Sequence, residues 1–294
     1  MRPLVSVIVP SYNHARFVAT ALGSIEAQSW RPLEVIVVDD GSSDGSQQLL
    51  RTLVPRLNVD RAELIEQPNQ GAHNAIMRGI EAARGEYLAI VNSDDYFHPE
   101  RLAVLLPRLV DGASQLAFSG VEFVDAAGAR LPFESTWPSW YRGCFDATSS
   151  SPTLGFALLA QNFSVSSGNF VFSRELYEKL SGFSSHRFCH DWDFLMRSIH
   201  FAEPAFERRA LLSYRIHESN TTETVRDLLK TEATEALQRY ITLTRRDIPP
   251  NTLAPCESNW PDSFARIAQR CLSPFSPDET LLDLWTRAAK SVVA

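Results

Sequence analysis

Apolar residues occur in short unbroken runs that end at polar turns. That is the pattern of strands covered on both faces rather than strands open to water on one. Leu4 to Val9 stops at Pro10-Ser11-Tyr12-Asn13, and Leu33 to Val38 stops at Asp39-Asp40-Gly41-Ser42-Ser43-Asp44-Gly45. Tyr87 to Val91 empties into Asn92-Ser93-Asp94-Asp95, and Arg61 to Glu66 supplies a shorter strand. Between these runs the apolar spacing turns helical. Phe17, Val18, Ala21, Leu22 and Ile25 form one stripe, and Leu49, Leu50 and Leu53 form another, capped by Ser43 or Asp44. Gly71 to Arg84 reads as a helix that Gly85 ends in a left-handed conformation.

Strand and helix alternating at this length imply β-α-β units with right-handed crossovers, hence a largely parallel, doubly wound sheet. Pro99 to Leu109 adds a helix and Gln115 to Val124 a strand. From Gly128 to Pro152 the chain is rich in Pro, Trp, Ser and Gly and reads as a long irregular segment over a ligand. Order resumes with Val165 to Phe172, helices over Glu175 to Leu180 and Asp191 to Phe201, and a strand over Leu211 to Ile216. A long helix from Val225 to Arg246 ends at Pro249-Pro250. Its stripe of Leu228, Leu229, Leu237, Tyr240 and Ile241 packs or dimerises. Two short helices follow, around Phe264 to Cys271 and Leu281 to Val292.

Composition narrows the function. The 294 residues are 44% hydrophobic and 21% charged, an ordinary soluble balance, and their net charge of -7 argues against nucleic acid as a partner. Cys144, Cys189, Cys256 and Cys271 show no metal-binding spacing and point to a reducing compartment. Neither a leader nor a membrane-spanning stretch is expected. The predicted location is the cytoplasm, with peripheral contact at the inner membrane face left open.

The acidic strand ends carry the chemistry. Open α/β sheets bind ligands beyond the carboxyl ends of their strands, and Asp40, Asp94 and Asp95 all fall there. Adjacent carboxylates beside an apolar strand need compensation, which a hard divalent cation carrying phosphate oxygens provides. Asp191, at the start of a helix, is a second candidate: the helix dipole favours its ionised form. Alone, these features also fit turn and capping roles. Trp137, Trp140 and Tyr141, within Phe133 to Phe145, could stack on a flat ligand or form a satellite core, and Gly168-Asn169 could contact a ligand or form a plain turn.

In order and spacing, several segments resemble the family 2 glycosyltransferases. These are Val5-Ser6-Val7-Ile8-Val9-Pro10-Ser11-Tyr12-Asn13, Val37-Val38-Asp39-Asp40-Gly41-Ser42-Ser43-Asp44, and Asn69-Gln70-Gly71 with Asn74 and Gly79. Asn92-Ser93-Asp94-Asp95, Gly182-Phe183, His190-Asp191-Trp192-Asp193 and Tyr214-Arg215-Ile216-His217 complete the set, which covers about residues 4 to 222. The resemblance implies a GT-A-type fold, a doubly wound and mostly parallel sheet flanked by helices; the helical C-terminal extension read from the residues lies beyond it. It divides the chain into a glycosyltransferase domain over 1–222 (nucleotide half about 1–125, acceptor half about 126–222) and an extension over 223–294.

It also implies an inverting enzyme that moves a sugar from a UDP- or dTDP-type donor to the hydroxyl of a saccharide or glycolipid, in cell-surface polysaccharide or glycolipid synthesis. Asp191 would be the base, with Asp193 a lesser candidate two residues on. Asp95 and His217 would hold Mg²⁺ or Mn²⁺. Pro10, Ser11, Tyr12, Asp40, Asn69, Gly71, Asn74, Asn92, Asp94 and Arg215 would bind the donor, Asp94 at the ribose and Asp40 at the base. Two residues depart from the pattern: the family often carries an acidic residue at Asn92 and Glu at His190. A homodimer through the C-terminal helices stays open. The rival readings are a nucleotidyltransferase, disfavoured because the first turn lacks a Gly-rich basic phosphate loop, and a non-catalytic sugar-nucleotide-binding protein.

Overall fold

A computed structural model of the chain describes residues 2–218 and 226–267. The chain forms two compact, discontinuous units: Met1–Leu131, Ser164–Arg187 and Ala205–Glu218 make the first, and Pro132–Phe163, Phe188–Pro204 and Ser219–Ala294 the second.

The first unit holds an eight-stranded sheet. Its strands are β1 (Val5–Ser11), β2 (Leu33–Asp39), β3 (Arg61–Glu66), β4 (Tyr87–Ile90), β5 (Tyr96–Phe97), β6 (Leu116–Val124), β7 (Val171–Ser173) and β8 (Ala205–Arg215). Their order is β3-β2-β1-β4-β7-β6-β8-β5. The first four are parallel, as the alternation predicts, and β6 pairs β8 in parallel. β7 lies antiparallel to both β4 and β6, and β5 antiparallel to β8, so the far half of the sheet is mixed. Every residue of β1, β2 and β4 is buried, in keeping with their largely apolar runs; the polar Ser6 and Glu34 within them pair with each other, Ser6 Oγ donating to Glu34 Oε1.

Helices α1 (Val18–Glu26), α2 (Ser46–Leu53), α3 (Ala72–Ala82), α4 (Arg101–Val110) and α7 (Arg174–Lys179) belong to the same unit. In α3, Gly79 permits close packing: a Cβ there would stand 2.4 Å from Ile8 Cγ2 and 3.3 Å from Val38 Cγ2. Gly85 is not the left-handed terminator expected of it. Its role is close approach, since a Cβ would meet Ser6 Oγ at 2.5 Å and Ser6 N at 2.8 Å. At α2 the N-cap position falls on Gly45, while Asp44 accepts the N–H and the hydroxyl of Ser46 at 3.0 and 2.6 Å.

The second unit is helical. It contains α5 (Thr136–Ser150), α6 (Leu154–Ala160), α8 (His190–Ile199) and α9 (Arg226–Arg246). The expected irregular segment over 128–152 is corrected here. Trp137, Trp140, Tyr141 and Phe145 repeat at helical spacing, and Pro138 falls in the first turn, where its missing N–H removes no helical bond. Those rings pack on one another, Trp137 against Trp140 at 5.7 Å and Tyr141 against Phe145 at 5.6 Å, as a satellite cluster does. On α9, Ala233, Ala236, Leu237, Tyr240 and Ile241 are buried within the unit, leaving Leu228 exposed, so most of the stripe is used for internal packing. The helix expected around Phe264 begins at that residue; its later part and the segment from Leu281 to Val292 lie outside the described residues.

Candidate active site

Beyond β1, two loops are tied together by short polar side chains. Asn13 N–H donates to Ser42 Oγ at 2.9 Å, and Asn13 Oδ1 accepts from Ser43 N at 2.8 Å. His14 N–H donates to Ser46 Oγ at 3.0 Å, and Ala15 N–H to Asp44 Oδ2 at 2.9 Å. The Asp39-Asp40-Gly41-Ser42-Ser43-Asp44 segment thus fixes the turn that carries His14.

His14 meets the strand end after β4. Its Nδ1 lies 2.8 Å from Ser93 Oγ, and its Nε2 3.7 Å from Asp94 Oδ2. His217, just past β8, brings its Nε2 to 3.0 Å from the same Asp94 oxygen. Among the described residues these three form the His/Asp cluster able to hold a metal, with ligand atoms all within 4.8 Å of one another. Metal–ligand bonds of about 2.1 Å separate neighbouring ligand atoms by roughly 3.0–3.5 Å, so the cluster fits a divalent cation after small adjustment.

Electrostatics favours the ligand forms. Burial alone would raise the Asp94 acid, but the His217 hydrogen bond and the His14 and His217 charges hold it below its ordinary value. Burial pushes His14 down, toward the neutral imidazole that ligates metal. Asp95 behaves differently: burial, then the Asp94 charge, drive it well above the carboxylate range. Its Oδ1 accepts Arg215 N–H at 2.9 Å and its Oδ2 accepts Asn92 Nδ2 at 3.1 Å. The carboxylate that joins His217 in this geometry is therefore Asp94, with Asp95 behind it as a brace.

The remaining donor-side residues sort into braces and exposed groups. Arg215 Nε donates to the Asp94 carbonyl at 2.8 Å and Nη1 to the carbonyls of Asp125 and Ala126, both at 3.1 Å, so this buried guanidinium fixes main chain. Asn92 holds Asp95 and reaches Ser166 Oγ at 3.4 Å, contacts that an acidic residue could not donate. Asp40 accepts from Gln67 Nε2, Gln70 N and Gly71 N, each at 2.8 Å, which wraps the Asn69-Gln70-Gly71 segment around it. Asn74 caps that wrap with Nδ2 donating to Gln70 O at 2.8 Å, and Asn69 is exposed. Pro10 and Ser11 are buried in β1, whereas the Tyr12 ring beyond them is 46% exposed. Asn169 forms a buried knot with Arg101, Ser119 and Ser164, a core role rather than an acceptor contact.

Asp191 belongs to the second unit. It lies in the first turn of α8, behind the N-cap Cys189, rather than starting the helix. Oδ1 accepts Trp192 N–H at 2.6 Å and Oδ2 accepts Asn162 Nδ2 at 3.1 Å. Burial, partly offset by those hydrogen bonds, raises its pKa to about 7. Asp193 is an unsuitable base: it is fully buried and paired with Arg197 at 2.7 Å and Arg239 at 3.2 Å. Sequence reasoning passed over His14, Asn162 and Glu232. Only His14 had a local signal, since it follows the turn at a strand's carboxyl end.

Residues 6–181 match the family description Glycosyl transferase family 2. An uncharacterised glycosyltransferase of Rickettsia typhi is 27% identical over 232 residues, spanning 78% of this chain and 69% of its own. The solved structure of S. aureus TarS 1–349 in complex with UDP-GlcNAc aligns with a TM-score of 0.63 at 18% identity, over 98% of this chain and 80% of that one. Mannosyltransferase PcManGT from Pyrobaculum calidifontis, in complex with GDP-Man and Mn²⁺, gives 0.59 at 21% identity, over 100% of this chain and 76% of that one. At those identities the likeness speaks for the fold, which is GT-A. With the family match spanning more than half of its length, the chain belongs to glycosyl transferase family 2.

Proposed function

We propose that this glycosyltransferase moves a sugar, with inversion, from a nucleoside diphosphate donor to the hydroxyl of a saccharide or glycolipid. The observation that carries this reading is the convergence of His14, Asp94 and His217 beyond β4. Structural neighbours bound to UDP-GlcNAc, and to GDP-Man with Mn²⁺, support a nucleotide-sugar donor for the same fold.

Asp94, His217 and His14 would hold the cation, which when bound neutralises the diphosphate as it leaves. Two imidazoles in three ligands favour Mn²⁺ or another transition metal over Mg²⁺, which prefers oxygen. His14 reaches the site with Nδ1 engaged by Ser93, which orients Nε2 as the ligand atom. Tyr12 offers an exposed ring to the nucleotide. Asp40 Oδ2 accepts Gly71 N–H, and a carboxylate oxygen has a second lone pair to offer a pyrimidine N–H. Asp191 takes the proton of the attacking hydroxyl. A carboxyl titrating at about 7 suits a general base at neutral pH. Cell-surface polysaccharide or glycolipid assembly at the cytoplasmic face of the membrane is the setting this chemistry fits; among the described residues no helix is long and apolar enough to cross it.

The test is nucleoside diphosphate release from UDP-, dTDP- and GDP-linked sugars with Mn²⁺, Mg²⁺ or chelator, in the presence of saccharide acceptors. The expected result is release from one donor class, lost with chelator and in Asp191→Asn. Full activity in chelator would overturn the metal part, and full activity in Asp191→Asn the base.

A further inference from the structure

The turn ahead of α8 is anchored from α9. Glu232, buried on α9, directs Oε2 to two main-chain donors, Phe188 N–H at 2.8 Å and Cys189 N–H at 3.0 Å. Cys189 is the N-cap of α8 and caps nothing with its own side chain, so Glu232 supplies the missing acceptor from another helix. Two turns further along α9, Arg239 Nε lies 3.2 Å from Asp193 Oδ1. Arg197 takes Asp193 Oδ2 through Nε at 2.9 Å and Nη2 at 2.7 Å. One helix therefore grips the first turn of α8 on both sides of Asp191.

We propose that Glu232 is a positioning residue for Asp191: from α9 it fixes the turn that presents the Asp191 carboxylate, and it sets a second negative charge beside it. This rests on the reading of Asp191 as the base. It gives the helix beyond the family-matched residues 6–181 a part in the chemistry.

Capping alone does not require a charge here, because a neutral oxygen accepts amide hydrogens as well. A second carboxylate beside a buried one opposes its ionisation. Among the described residues, charged and titratable groups stand around Asp191 on its own helix, on the preceding turn and on α9. Its own helix offers His190 and Asp193, the latter already paired with Arg197 and Arg239. The preceding turn offers the Cys189 thiol, which burial holds protonated. The segment after α6 offers the neutral Asn162 amide, and α9 offers Glu232. Glu232 is the group whose charge adds to burial in raising Asp191.

The experiment is a carboxyl ¹³C NMR titration of protein labelled at aspartate Cγ, with Asp191→Asn identifying the Asp191 resonance. Wild type should titrate near 7. Glu232→Gln keeps an acceptor for both amides but removes the charge, so the midpoint should fall by about 0.5 in pH. Glu232→Asp keeps the charge and should stay nearer wild type. An unmoved midpoint in Glu232→Gln overturns the proposal, as does equal movement in both variants. Transfer assays on Asp191→Asn run in parallel: activity surviving there defeats the base reading, whereas an unmoved titration with an inactive Asp191→Asn defeats the role of Glu232 alone.

Discussion

His217 Nε2 lies 3.0 Å from Asp94 Oδ2, joining the end of β8 to the end of β4 across 123 residues of sequence. That contact separates two adjacent carboxylates. Against burial, the His217 hydrogen bond and the imidazole charges pull the Asp94 pKa down, whereas burial and the Asp94 charge push that of Asp95 up, and Asp95 turns both oxygens to Arg215 N–H and Asn92 Nδ2 rather than to the histidines.

Substituting the two aspartates should therefore give unequal results. Asp94→Asn removes the anionic ligand and should weaken Mn²⁺ binding, read by electron paramagnetic resonance, by about 100-fold or more, with His217→Ala similar and His14→Ala about 10-fold. Asp95→Asn alters a residue that holds Arg215 N–H and Asn92 behind the cluster, and should cost less than about 10-fold. A larger loss in Asp95→Asn than in Asp94→Asn would reverse the assignment.

The pH dependence follows from Asp191. Its pKa is raised from 3.8 to about 7, chiefly by burial, so between those two values the folded protein holds a proton that the unfolded chain releases. If Asp191 is the base, as proposed, its ionised fraction limits the rate in acid, and kcat/KM should rise about tenfold per pH unit up to about 7, then level. Stability runs the other way: the contribution of Asp191 is complete below pH 4 and disappears as pH rises through 7, by about 4 kcal/mol at most. Thermal unfolding should show Asp191→Asn gaining on wild type at pH 8 and not at pH 4. A flat acid limb together with parallel unfolding curves would remove both roles.

The sequence made half of this legible. Runs such as Val5 to Val9 and Leu33 to Val38 declare parallel buried strands because a single polar residue, Ser6 or Glu34, interrupts each, and their polar ends locate the site. The aromatic helix α5 stayed hidden because Pro, Gly and Ser are local loop signals that packing overrode. The sequence set Asp95 beside His217, whereas the carboxylate that meets the histidines is Asp94, because which of two neighbouring carboxylates faces them depends on the turn after β4. The grip of Glu232 on Cys189 spans 43 residues and leaves no local mark.

Packing of α3 on the sheet depends on Gly79. Gly79→Ala would drive a methyl to 2.4 Å from Ile8 Cγ2, inside a fully buried strand that cannot yield by rotating a flexible end. A loss of about 2–3 kcal/mol is expected in urea unfolding, against the small gain that alanine usually brings to a helix interior. Pairing Gly79→Ala with Ile8→Ala, which removes the Cγ2 methyl itself, should cost less than the sum of the two single changes.

Arg215 separates a brace from a ligand. Its guanidinium donates to the carbonyls of Asp94, Asp125 and Ala126, and its N–H holds Asp95. Its Cζ also sits 4.8 Å over the Phe17 ring and 5.5 Å over Tyr96. Arg215→Ala would leave three carbonyls without this donor and open a void, a loss of about 3–4 kcal/mol in urea unfolding. Arg215→Lys restores the charge but neither the fork nor the stacking plane, and should recover less than half. A residue acting only on the diphosphate would give the opposite pattern, with stability unchanged in both variants and donor KM raised. Measuring unfolding and donor KM on the same two variants decides between the roles.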